Sequence, residues 1–153
     1  MFRSGDRNTA RERIVRRSYE LPPAYTKAYD LCVWLLGRTA KFAAQYRTCL
    51  AAKIDEAAVE LVLTLRRAAE TKECEPHLRR ADELVADLRV LLRIAYGVKA
   101  FRGSKSYRYA ASGMDEIGRM IGGWLKQTAT RKPRSAQVSD RAAVPTEGLT
   151  AET

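Results

Sequence analysis

Between residues 24 and 127 apolar side chains return every three or four positions along four successive segments, and no segment alternates apolar with polar as a half-buried strand does. Such a chain must bury helical stripes against one another. The first period, about 24–43, lines up Ala28, Leu31, Cys32, Leu35 and Phe42; the second, about 46–71, lines up Leu50, Ile54, Ala57, Leu61, Leu65 and Ala68. The third, about 76–100, aligns Leu78, Ala81, Leu84, Leu88, Leu91, Leu92 and Ala95. The fourth, about 104–127, aligns Tyr107, Ala110, Met114, Ile117, Ile121, Trp124 and Leu125. Breakers separate them. Thr71-Lys72-Glu73-Cys74-Glu75-Pro76 interrupts the pattern and places a proline in the first turn of the next helix, while Phe101-Arg102-Gly103 forms a turn before Ser104, a candidate cap.

Four amphipathic helices of this length with short connections predict an all-α fold, an antiparallel up-down-up-down four-helix bundle. Each helix is roughly 30–37 Å long at 1.5 Å per residue, so the bundle is a rod with long lateral faces. The ends of the chain read differently. Residues 1–20 hold six arginines and three acids with almost no apolar periodicity, and Pro22-Pro23 follows, so 1–21 is expected to be a basic mobile arm. Residues 128–153 are rich in Thr, Ser, Pro and Gly with no large apolar cluster, the composition of a disordered tail. The expected domain is 22–127.

Several classes of function lose support at this level. Cys32, Cys49 and Cys74 are odd in number and widely spaced, so they read as reduced thiols and not as a disulfide framework. The single histidine, His77, stands three residues from Cys74, but nothing elsewhere supplies the second half of a zinc site. No metal or cofactor is expected. A lone histidine far from any nucleophile signature offers no catalytic triad, and the glycines of the fourth helix follow no strand, so they form no phosphate loop. We expect no enzyme. No stretch approaches the ~18 apolar residues of a membrane span, and the N-terminus alternates charges where a signal peptide is apolar, so the expectation is a cytoplasmic protein.

Charge supplies the positive indication. The formal net charge is +10, from 28 basic and 18 acidic residues, and such a surface favours an anionic partner, nucleic acid foremost. Opposite its leucines the third helix carries a stripe of Arg79, Asp82, Ala86, Arg89 and Arg93. The fourth carries Arg108, Ser112, Asp115, Arg119, Gly122 and Lys126 opposite its own core face. Arg102 and Lys105 join the two stripes through the intervening turn. Packed as antiparallel neighbours, these helices would merge the stripes into a surface for several phosphates. The candidate contacts are therefore Arg79, Arg89, Arg93, Arg102, Lys105, Arg108, Arg119 and Lys126. Tyr96, Tyr107 and Tyr109 lie close by, suited either to stacking on unpaired bases or to ordinary packing.

Apolar residues are also left over. Val59 and Leu63, with Ala52, point away from the second helix's seam, and Val90 stands off the leucine seam of the third, so these are candidate protein contacts, foremost between copies of the chain. The fourth helix spends about 0.8–1 kcal/mol on each of Gly113, Gly118, Gly122 and Gly123 relative to alanine. Gly118 and Gly122, one turn apart, have the spacing that lets another backbone approach, whether a neighbouring helix or a partner.

Three stretches carry a family resemblance. Asp115-Glu116-Ile117-Gly118-Arg119-Met120-Ile121-Gly122-Gly123-Trp124-Leu125 resembles the last-helix signature of the accessory variability determinant (Avd) proteins of diversity-generating retroelements. Tyr29-Asp30-Leu31-Cys32-Val33-Trp34-Leu35-Leu36, with Arg38-Thr39 and Phe42, is similar to their first helix, and Leu88-Arg89-Val90-Leu91-Leu92-Arg93-Ile94-Ala95 to their third. The resemblance implies a four-helix bundle assembled into a homopentameric ring with a basic surface. It further implies binding to the element's reverse transcriptase and to template RNA and cDNA, in support of mutagenic reverse transcription. The polymerase supplies the chemistry. The fold is shared with proteins encoded in intervening sequences of 23S ribosomal RNA genes, so a ribosomal-RNA-associated bundle and a plain oligomeric scaffold stand as alternatives.

Overall fold

A computed structural model describes residues 21–131, and within them the secondary structure is entirely helical. Helix α1 runs Pro23–Thr39. Helix α2 is continuous from a short turn, Ala44–Tyr46, through a π-helical stretch, Arg47–Ala51, into the regular helix Ala52–Glu70. Helix α3 runs Glu75–Gly97 and α4 runs Ser104–Arg131. Each helix packs on the next and α4 returns to α1, which closes the expected four-helix bundle.

The periodic residues explain the packing. Leu31 and Leu35 of α1, Ile54, Leu61 and Leu65 of α2, Leu78, Leu88 and Leu92 of α3, and Met114, Ile117 and Ile121 of α4 are all almost wholly buried. Each such side chain contributes about 1.5–3 kcal/mol of burial, so the interior outweighs any surface ion pair. Ala57, Leu91, Tyr107, Trp124 and Leu125 are only partly buried at the rim of that interior. Val85 is fully buried although it stood outside the expected leucine stripe. It faces α4 beside Gly118, and a Cβ there would meet its Cγ1 at 3.6 Å, an ordinary contact.

Helix boundaries differ from the periodic reading at three places. Helix α1 stops at Thr39: Ala40 N–H still reaches Leu36 O, but the following amides bond three residues back, Lys41 N–H to Arg38 O at 3.1 Å and Phe42 N–H to Thr39 O at 3.0 Å. Phe42 still reaches the core, from the turn and not from the helix. There its ring meets Phe101 edge-on at 5.3 Å, which fixes the α1–α2 and α3–α4 turns at one end of the rod. Helix α3 ends at Gly97 in a Schellman motif: Ala100 N–H reaches Ala95 O at 2.8 Å and Lys99 N–H reaches Tyr96 O. Lys99 occupies the left-handed position of that motif at φ 58°, where glycine is the usual residue. Helix α4 continues four residues past the expected boundary, and the Thr128 hydroxyl bonds Trp124 O and lies 3.5 Å from Cys74 Sγ. The expected arm apart from Leu21, and the tail from 132 onward, lie outside the described residues.

Candidate nucleic-acid interface

The chain carries no acid between Asp30 and Asp55, and none between Asp87 and Asp115. Those intervals form the upper ends of α1 and α2 and of α3 and α4, together with the two turns that Phe42 and Phe101 hold side by side. One pole of the rod therefore holds Arg38, Lys41, Arg47, Lys53, Arg89, Arg93, Lys99, Arg102, Lys105 and Arg108 without a single carboxylate from the same intervals. The remaining described residues carry nine cations against twelve acids. The bundle is electrically polar along its axis. Cations within about a Debye length of one another, roughly 8–10 Å at physiological salt, add their potentials.

Adjacent packing does bring the two expected stripes together, but it also neutralises part of them. Arg89 Nε lies 3.1 Å from Asp115 Oδ1 across the α3–α4 seam. A Cβ on Gly118 would sit 2.7 Å from the Arg89 guanidinium, the flexible end of that side chain, which would then have to shift. Arg79 pairs with Glu75 one turn earlier, at 2.8 Å, in the other half of the rod. Arg93, Arg102, Lys105 and Arg108 stand at the basic pole with no ion pair among the described residues. Arg119 and Lys126 are likewise exposed and unpaired, further down α4. The stripes alone do not identify Arg38, Lys41, Arg47, Lys53 and Lys99; the two acid-free intervals do, once the turns are known to meet.

Aromatic rings accompany the charge. Tyr96 of α3 and Tyr107 of α4 stack at 4.5 Å with 14° between their planes. Below them a groove of about 430 Å³ opens between α3 and α4, lined by Arg89, Val90, Arg93, Tyr107, Ala111 and Asp115, among others. On the α1–α4 seam Trp34 meets Tyr109 at 4.6 Å, and Arg38 lies over the Trp34 ring at 5.1 Å. Lys27 ties the same seam further down through Glu116 at 3.0 Å, and that carboxylate raises the affinity of the Lys27 amine for its proton. A larger cleft, about 900 Å³, lies at the opposite pole, where Lys72 and Arg131 mix with Glu73 and Glu75.

The candidate protein contacts separate into two groups. Val59 and Leu63 are exposed on the outer face of α2, and Tyr29, Val33 and Leu36 form an exposed i, i+4, i+7 row on α1. Thr39 donates to Asp55 Oδ1 at 2.6 Å and so ties α1 to α2 in a register that sets the two rows on the same side of the bundle. Five large apolar residues thus flank the α1–α2 seam. Val90, at 60% the most exposed large apolar side chain among the described residues, lies elsewhere, on α3 beside Ile94. The ionic bridge from Glu60 to Arg80 to Glu83 spans the α2–α3 seam between the two groups. The four glycines also divide. Gly113 is packed, since a Cβ there would strike Leu31 at 2.7 Å, whereas Gly122 and Gly123 face open space.

The arrangement defines a class: a helical bundle with a cationic pole, exposed aromatic rings and a separate apolar flank. A family model described as bAvd-like matches residues 24–128, and the chain belongs to that family. No curated protein matches it. No helix among the described residues is long and apolar enough to cross a membrane.

Proposed function

We propose that this chain is a non-catalytic accessory protein of the Avd type, which holds RNA or cDNA beside a reverse transcriptase in the cytoplasm. The observation that carries the reading is the basic pole, where two acid-free stretches carrying ten cations are brought together and, among the described residues, Arg89 alone of the ten is paired with a carboxylate. Positive charge in such excess over carboxylates suits a polyphosphate backbone, because each neutralised phosphate releases counterions irrespective of base sequence. Family membership favours this reading over a ribosomal-RNA role or a scaffold whose charge serves solubility. The α1–α2 flank is the surface proposed to seat a neighbouring copy in a ring, the pentamer that the Avd resemblance implies.

Reversing Arg102 and Lys105 to glutamate tests the pole directly. The double variant is expected to lose most of its affinity for RNA at low salt and to show a flatter salt dependence, read by fluorescence anisotropy. Full retention of binding would remove the pole from the function. The ring is tested separately by mass measurement of wild type and Leu63→Asp, with and without the candidate polymerase.

A further inference from the structure

Charge alone would hold single and double strands alike, yet the groove beside the pole is not built as a phosphate track. Asp115 stands in its wall, already bonded to Arg89, and a carboxylate there repels a backbone that would run through it. The remaining lining is largely apolar, with Val90, Leu92, Ile94 and Ala111 beside the Tyr107 ring. Tyr96 covers one face of Tyr107 and braces it, and Tyr107 lines the groove together with Ala111 and Asp115. Arg93, with no ion pair among the described residues, also lines the groove. The volume, about 430 Å³, falls within the roughly 300–1,000 Å³ of small-ligand sites. A flat, uncharged, stackable group whose negative charge stays outside satisfies all of these features.

We propose that the α3–α4 groove seats an unpaired nucleobase against Tyr107 while Arg93 and the polar cations hold its flanking phosphates, so that the pole prefers single strands to duplex. The inference rests on the reading of the pole as a nucleic-acid surface. In a duplex the base faces are covered by their neighbours, so only the backbone term remains. In a single strand each base presents a free face, and aromatic stacking adds to the phosphate contacts.

The test compares three probes of equal length by fluorescence anisotropy: oligo-deoxythymidine, a strand with the same phosphates but abasic sugars, and a duplex. Wild type is expected to bind oligo-deoxythymidine roughly five- to 150-fold more tightly than the abasic strand, the range for stacking of one base. Tyr107→Leu, which keeps an apolar side chain, erases that difference without changing the salt slope, and Tyr107→Phe preserves it. Tyr96→Leu removes the brace and serves if Tyr107→Leu fails to fold. Arg102→Gln, outside the groove, weakens all three probes together and lowers the slope by about 1. Equal wild-type affinity for all three probes would overturn base recognition and leave the nucleic-acid reading standing. Failure to bind any probe at low salt would overturn both.

Discussion

Substituting the glycines of α4 separates those that packing requires from those it does not. Gly113→Ala forces a methyl group onto the buried Leu31 side chain at 2.7 Å, an overpacking that costs about 1–3 kcal/mol, against a gain of at most about 1 kcal/mol in helix propensity. Gly123→Ala meets nothing within 4 Å and keeps the whole gain. Urea midpoints are therefore expected to fall for the first and rise for the second. Asp55 has a sign of its own. Burial raises its carboxyl above the ordinary 3.8, against the opposing bond from Thr39, so the folded protein holds that proton more tightly than the unfolded chain does. The contribution of this group to stability is complete below pH 3.8 and is lost as pH rises through the elevated folded value. Asp55→Asn should flatten stability across that window and be no less stable at neutral pH, checked by urea titrations on both sides of it. The thiols differ in the same residue-level way. Cys49 is exposed whereas Cys32 and Cys74 are buried, and burial, then Asp55, pushes the Cys32 thiol up. A thiol reagent is expected to label Cys49 rapidly in the native protein and the other two only after unfolding.

At the scale of the element, the end of α3 sets stability against charge. A non-glycine residue in the left-handed region costs about 1 kcal/mol, and Lys99 holds that position while adding a cation to the basic pole. Lys99→Gly is expected to raise stability by roughly 0.5–1 kcal/mol and to weaken RNA binding with a smaller salt slope. Improved stability with unchanged binding would show that this charge does not reach the nucleic acid. Helix extents were legible from period and punctuation: Pro76 and Gly103 flank boundaries that the structure places at Glu75 and Ser104. The end of α1 was less so. Thr39 and Phe42 continue the apolar period, and only the Thr39 bonds to Leu35 O and Asp55, together with the ring contact to Phe101, explain why the chain turns there.

For the whole molecule, the axial charge asymmetry predicts that position along the rod matters more than the number of cations. Reversal of Arg67 or Lys126, in the half that already holds more acids than cations, is expected to cost much less RNA affinity than reversal of Arg102 or Lys105. Equal losses from both halves would show a uniformly sticky surface. Four helices, the face each buries and the surplus of positive charge are one-dimensional properties, carried by spacing of about 3.6 residues and by composition, so reading along the chain reaches them. Where the charge gathers is a pairwise property. Arg38 and Arg102 are far apart in sequence, and no period reveals that their turns meet. It takes Phe42 against Phe101 to join two acid-free stretches into one pole, the α3–α4 packing to set Asp115 against Arg89, and the Thr39–Asp55 bond to tie together the two helices that carry the modest apolar rows.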